Sequence, residues 1–290
     1  MDGPGGRGAG AALSRREVRA AARRRRGRRG FAIAAASTVV VLGGLVAVVV
    51  TSPGWPAVRE TFFSWPDFRR AFPDVLEGFW LDIRLFVVVE AAVLVLGLVV
   101  ALARTSRAAA LFPLRLLAAV YTDLLRGIPT ILLVYLVGFG VPALELTGVP
   151  TDPVVLGAAA LALSYSAYVA EVYRAGIDSV HPSQKAAALA VGLTQVQAMR
   201  HVVLPQAVRR VIPPLLNDFI ALQKDVALVS ILGVVEAFRV AQIDASSNFN
   251  YTPLLAAALL YLCVTVPLAR VVDRLQAGAR RARGGVEVPA

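Results

Sequence analysis

The amino-acid sequence predicts an all-α integral membrane protein with about six transmembrane helices. Two observations carry that prediction. Of the 290 residues, 57% are hydrophobic and 23 more are Gly, whereas in a soluble domain the apolar residues and Gly together make up about 45–50%. Charge is sparse at 17%, mean hydropathy is +0.67, and long stretches carry no charge at all. Disorder, collagen-like repeats and a soluble enzyme core do not fit this composition. The single Cys263 and the two histidines, His181 and His201, leave no intramolecular disulfide and no Cys/His metal cluster, so no metal site is expected.

The first span is Phe31–Val50, an uncharged run long enough at ~1.5 Å per residue to cross the ~30 Å hydrocarbon core. Ten arginines fall within residues 7–29, just ahead of it. They read as a positive-inside anchor attracted to anionic headgroups at roughly 1 kcal/mol per basic residue, not as a nucleic-acid arm. Ser14-Arg15-Arg16 faintly resembles a twin-arginine export signal, but the apolar run is too far away and too long, so an uncleaved span is expected. Residues 51–84 follow as an external segment, with Trp55, Trp65 and Trp80 as interface anchors.

A second span, Leu85–Ala103, is interrupted only by Glu90. The third covers Gly127–Leu144, starting either there or near Leu114, with Pro113 and Pro142 suited to its ends. Pro153–Ala170 is the fourth. Val211–Gln223 is a shorter fifth in which Pro213 and Pro214 predict a broken helix, and Ala245–Ala269 holds the sixth. The basic segments 1–30, 104–115, 174–210 and 270–283 then share one side, while 143–153 carries Glu145 and Asp152 and no Lys or Arg. Both termini are therefore expected in the cytoplasm of a multi-pass plasma-membrane protein. The domain layout is an Arg-rich arm (1–30), the first transmembrane helix (31–50), an external segment (51–84), a permease-like core (85–275) and a basic cytoplasmic tail (276–290).

Within the cytoplasmic connection 174–210, His181-Pro182-Ser183 offers a helix start, Ala186-Ala187-Ala188 a small close-packing face, and Gly192 a left-handed turn. A second short helix is predicted from about Thr194 to Val203. Such a hairpin is too short and polar to span; it is either a docking element for a soluble partner or an ordinary amphipathic connector.

The spacing Ala186-Ala187-Ala188, Gly192, Val202-x-Leu204-Pro205 resembles the EAA loop of bacterial ABC importer permeases. Flanking stretches extend the likeness: Tyr121-x-Asp123-Leu124-Leu125-Arg126-Gly127-Ile128-Pro129, Ala167-Tyr168-Val169-Ala170-Glu171-x-x-Arg174, Pro213-Pro214-Leu215-x-Asn217, Lys224-Asp225 and Ser230-Ile231-Leu232-Gly233. Together they resemble the polar amino acid permease subfamily over about residues 75–275. The resemblance implies a permease bundle whose loop at about 181–205 couples to separate cytoplasmic ATPase subunits, through Ala186, Ala187, Ala188, Gly192, Leu204 and Pro205. It also implies a second permease subunit, the same or related, and an external solute-binding protein. The loop position usually occupied by Glu is Ala186 here, beside Lys185. Three readings follow: a partner ATPase with an altered groove, coupling mainly through a heterodimeric partner, or a nonfunctional copy.

Ionisable residues within spans are costly, which singles out Glu90, Asp123, Arg126, Glu171 and Asp218. An amino acid needs a cation for its carboxylate, and Arg126 suits that role; snorkelling and a pair with Asp123 are the alternatives. Glu171 either forms a surface pair with Arg174 or, as the resemblance implies, lines the solute path with Tyr168. Glu90 is a second candidate for an ammonium group, or a structural hydrogen-bonding residue. Asn217 lies beside the predicted break. Lys224 and Asp225 are expected to pair with each other as a gate or a capped turn.

No phosphate-binding Gly loop with its Lys, no metal-ligand spacing and no Ser/His/Asp set is present, so no cofactor is expected in this chain; ATP would be bound by a partner subunit. The sequence thus points to the membrane permease subunit of an ATP-driven importer for a polar amino acid. The alternatives are an ion-coupled secondary carrier using Glu90, Asp123 and Glu171, and a membrane scaffold without transport.

Overall fold

The structure is a computed structural model that describes residues 15–106 and 108–284, with side chains described between residues 33 and 277. Residues 1–14 of the Arg-rich arm and 285–290 of the tail lie outside the described residues. Among the described residues every regular element is helical. The chain divides into two compact units, residues 1–60 and 61–290.

In the first unit, α1 (Arg15–Val50) carries the Arg-rich sequence directly into the apolar run without a break. Its stretch Ile33–Val50 has a mean hydropathy of 2.6 and is exposed throughout, as expected of a helix bathed in lipid. Ser37 and Thr38 return their hydroxyls to the Ala34 carbonyl at 2.9 and 2.8 Å, so neither is left unsatisfied in the apolar run.

The second unit is the helical bundle. The segment expected outside, 51–84, is largely helical: α2 (Trp55–Phe62) falls at the division of the two units, and α3 (Trp65–Thr105) opens the bundle. The span that hydropathy starts at Leu85 is therefore the second half of a 41-residue helix about 60 Å long. Ser64 caps α3, accepting from the Asp67 N–H, and Pro66 fits its first turn. Trp65 and Trp80 project outward. Ala71, Val75 and Phe79 instead bury against Ala237, Ala241 and Ala257, so the charged segment 65–84 forms a packed layer of its own.

The expected third span is two helices, α4 (Phe112–Gly127) and α5 (Thr130–Ala143), bent by 108°. Pro129 cannot donate to the preceding turn and drives Ile128 into extended backbone, which breaks the helix there. After α6 (Pro153–Asp178), capped by Asp152, come α7 (Pro182–Ala190), the four-residue α8 (Gln195–Ala198) and α9 (Leu204–Asp225).

The break predicted at Pro213-Pro214 does not occur. Both prolines sit inside a continuous α9, whose apolar face packs on α6, and adjacent prolines remove only two ladder bonds. The bend falls later, at 233–236, where Gly233 adopts φ +84° before α10 (Ala237–Asn248). The sixth span begins at Thr252 and not at Ala245, because the chain turns at Phe249 between α10 and α11 (Thr252–Gly284). Among the described residues four helices are long and apolar enough to cross a membrane, and up to six spans result if each bent pair counts as one.

α6 is the hub. Its largest interface is with α3, and it also packs on α4, α5 and α9. Its small residues explain this: Ala160, Ala167 and Ala170 are fully covered, and a Cβ placed on Gly97 of α3 would meet Val169 at 2.7 Å. Of its most apolar stretch 61% is buried, against 17% for α11, which marks α6 as core and α11 as periphery.

Candidate functional site

The break between α4 and α5 brings two predicted residues together. Arg126 stands in the last turn of α4, two residues before the extended Ile128. Its guanidinium lies 5.7 Å above the Tyr168 ring of α6, and the Tyr168 hydroxyl donates to the Arg126 carbonyl at 3.3 Å. Both side chains are exposed to the space beside α6. The pairing with Asp123 is not formed: among the described residues no ion pair joins Asp123 and Arg126, since the guanidinium turns to the ring of Tyr168 instead. Around the break, Tyr121 of α4 bonds to the Leu163 carbonyl at 3.0 Å and Ser166 at 2.7 Å, and Thr130 of α5 bonds to Ser164 at 3.0 Å. These bonds fix the two half-helices on α6, so the guanidinium is presented on a rigid frame.

Glu171, one turn beyond Tyr168, has two guanidinium partners. Arg104 at the end of α3 reaches Oε2 at 2.8 Å, and Arg174 contacts the same carboxylate through Nε at 3.1 Å and through its terminal nitrogen. Arg104 also donates to Thr122 of α4 at 2.7 Å, and Arg174 to Asp178 at 2.8 Å. The surface pair with Arg174 is thus present, and a partner from α3 turns it into a network joining three helices. Arg104 was not singled out from sequence: it lies 67 residues from Glu171 and reads as an ordinary helix-end cation.

Glu90 is half-buried on α3, and Asp218 of α9 lies within its electrostatic reach. Asp218 Oδ2 is buried without a hydrogen-bond partner. Neither carboxylate has an ion-pair partner among the described residues. Two carboxylates within electrostatic reach of each other and without an ion-pair partner are suited to an ammonium or guanidinium group. Asn217, the next residue along, is exposed. Asp225 does not pair with Lys224; it accepts from the Tyr165 hydroxyl at 2.8 Å, and the Tyr165 ring stands 6.4 Å from that of Tyr168. The geometry therefore strings Arg126, Tyr168, Tyr165 and Asp225 along one side of α6.

A second polar cluster escaped the sequence reading. Asp82 of α3 is 1% exposed and Glu236 0%, and the Tyr261 hydroxyl of α11 lies 2.7 Å from Asp82 and 3.5 Å from Glu236. Glu236 caps α10, accepting from the N–H groups of Phe238 at 2.7 Å and Arg239 at 2.8 Å. By sequence Asp82 falls in the expected external segment, 51–84, where a charged residue raises no question. The available signal was Glu236 three residues after Gly233, an acid at a helix start behind a turn.

The hairpin is well defined. His181 caps α7, Ala188 is buried while Ala186 and Ala187 are exposed, and Gly192 turns with φ +91°. The Leu193 N–H returns to the Ala188 carbonyl at 3.2 Å. Thr194 and Gln197 cap each other reciprocally at 3.3 and 2.9 Å. The second short helix differs from expectation: α8 passes through one wide turn at 199–203 straight into α9. That turn accommodates Pro205, which has no N–H for the ladder, while Leu204 opens α9 half-exposed.

Residues 105–281 match the family model described as "Binding-protein-dependent transport system inner membrane component". The chain is 34% identical over 206 residues to the arginine transport system permease protein of Bacillus subtilis (strain 168), covering 70% of this chain and 92% of that protein. It is 31% identical over 215 residues to the glutamine transport system permease protein of Escherichia coli (strain K12), covering 74% and 96%. Among solved structures, a chain of an amino acid ABC transporter crystallised with histidines superposes with TM-score 0.67 at 31% identity, covering 75% of this chain and 98% of that one. A methionine ABC transporter in an inward-facing conformation shares the fold at TM-score 0.58 and 18% identity, covering 74% and 99%. The chain therefore belongs to the binding-protein-dependent transport system inner membrane component family, as the multi-pass permease of an amino acid ABC importer.

Proposed function

We propose that this permease carries a polar amino acid delivered by an external binding protein, past Arg126 and Tyr168 at the α4–α5 break, on ATP hydrolysed by separate cytoplasmic subunits. The juxtaposition of Arg126 and Tyr168 at the 108° bend supports the reading most directly, because it places a fixed cation beside interrupted backbone within an apolar bundle. The guanidinium receives the α-carboxylate. Glu90 and Asp218 receive the ammonium. Asn217, exposed next to Asp218, lines the same path, and Glu171 supports the wall from below through Arg104 and Arg174.

The hairpin at 181–205 couples to the ATPase: Ala186 and Ala187 form its close-approach face, Gly192 its turn, and Leu204 and Pro205 the start of the helix that leads into the bundle. Ala186 removes a charge from that contact, so the ATPase groove is altered to match. ATP is bound by the partner subunit and this chain needs no cofactor of its own. A second permease, the same or related, completes the pore. The Arg-rich start and the basic tail support a cytoplasmic position for both termini, with 51–84 toward the outside.

Affinity purification of the tagged protein from its own membrane in mild detergent, followed by mass identification, tests the reading. Recovery of a stoichiometric ATPase is expected, and the presence or absence of a second permease distinguishes heterodimer from homodimer. A protein that purifies alone and transports after reconstitution overturns it in favour of the ion-coupled carrier.

A further inference from the structure

Among the described residues Asp82 and Glu236 are the two buried acids, at 1% and 0% exposure. Their carboxyl groups lie within hydrogen-bonding reach of each other, and the Tyr261 hydroxyl stands 2.7 Å from Asp82 Oδ2 and 3.5 Å from Glu236 Oε2. No cation offsets them: among the described residues no ion pair reaches either group. The basic side chains nearest in sequence are turned elsewhere, exposed Arg84 over the Trp80 ring at 5.7 Å and Arg239 to the Gln242 side chain at 2.7 Å. Gly78 brings α3 against the backbone of Glu236 and Ala237 and closes the cluster on that side. Two ionised carboxylates are acceptors only and repel each other, so an uncompensated pair this deeply buried is costly, and a hydrogen bond between the two acids needs a proton. Tyr261 has one proton to give and can donate to only one acid at a time.

The two acids are not equivalent. Glu236 has an N–H donor on each oxygen, Phe238 at 2.7 Å and Arg239 at 2.8 Å, and it stands at the positive, N-terminal end of the 12-residue α10. Those contacts favour its ionised form. Asp82 lies inside α3 and caps nothing, and its Oδ1 is buried with no hydrogen-bond partner among the described residues. That arrangement costs less for the carbonyl oxygen of a neutral acid than for half of a carboxylate.

We propose that the junction of α3, α10 and α11 is a proton-binding site: Asp82 holds a resident proton on Oδ2, directed at Tyr261 and the Glu236 carboxylate, and that proton takes the place of a cation in tying the three helices together. The site is independent of the solute path and of the importer reading.

The test compares infrared spectra and melting temperatures of the full-length protein in mild detergent for wild type, D82N and E236Q. D82N keeps a donor toward Glu236 without the acid, whereas E236Q leaves one oxygen to serve two N–H groups. The carbonyl stretch of a protonated carboxyl is expected in the wild type and should be lost from the D82N spectrum. D82N should melt within about 2 °C of wild type and E236Q about 5 °C lower. Should E236Q fail to fold, the spectral difference between wild type and D82N still decides. A D82N spectrum that loses no carboxylic-acid band would overturn the proposal, and so would a D82N protein that melts as low as E236Q. A wild type without the acid band, whose melting temperature rises with added Na⁺ or K⁺ at constant ionic strength, would overturn it by placing a metal cation between the two acids.

Discussion

Two polar clusters lie in the same bundle and differ in access. Asp82, Tyr261 and Glu236 are sealed between α3, α10 and α11, the two acids at 1% and 0% exposure. Arg126 and Tyr168 stand open beside α6, at a place where the backbone itself is broken. The sealed cluster has its hydrogen bonds made within the chain, apart from Asp82 Oδ1. The open one keeps a guanidinium set over an aromatic face, with no ion-pair partner among the described residues. Charge within a membrane protein is therefore not one signal: enclosed and internally bonded, it joins helices; open and incompletely bonded, it is available to a solute.

Substitutions separate the two roles. The largest effect is expected at the sealed end, from Gly78→Leu. A Cβ at Gly78 would meet the backbone of Glu236 and Ala237 at 2.7 Å, and backbone cannot yield as a side-chain tip can. The variant should fail to accumulate in the membrane, as read by immunoblot of membrane fractions.

Arg126→Ala should instead accumulate normally and lose uptake by a factor of ten or more, about 1.4 kcal/mol or above of solute interaction, as measured by radiolabelled amino acid transport. Equal loss of thermal stability in both variants would erase the distinction between the clusters. Tyr261→Phe removes the hydroxyl shared by the two buried acids and should cost about 1–3 kcal/mol, seen as a lower melting temperature in detergent with unchanged solute KM. The smallest effect belongs to Tyr168→Phe, which keeps the ring beneath Arg126 and loses only the 3.3 Å hydrogen bond to a carbonyl, so KM should rise about two-fold.

What was legible in the sequence follows the same division. Hydropathy located the apolar cores of α1, α3, α6 and α11 because spanning depends on composition over a window, and that is a local property. It misjudged connections that depend on one residue. Pro129 broke a span that hydropathy reads as continuous from the α4 side, whereas Pro213 and Pro214, a stronger breaking signal on paper, sit in an unbroken α9 held by its packing on α6. Arg126 and Tyr168 were both found as candidates, but their contact was not, since it joins residues 42 apart through a bend. Asp82 was missed because Trp80, Asp82 and Arg84 make the segment look like an external loop. Its neighbour Tyr261 is 179 residues away, beyond the reach of any local pattern.

The most direct test of the account is uptake by the purified complex in proteoliposomes, with the ion gradient and the ATP supply to the ATPase side controlled independently. The account predicts amino acid accumulation that requires ATP, survives collapse of the ion gradient, and disappears in Arg126→Ala while ATPase retention is unchanged. Accumulation without ATP that vanishes with the gradient would contradict it.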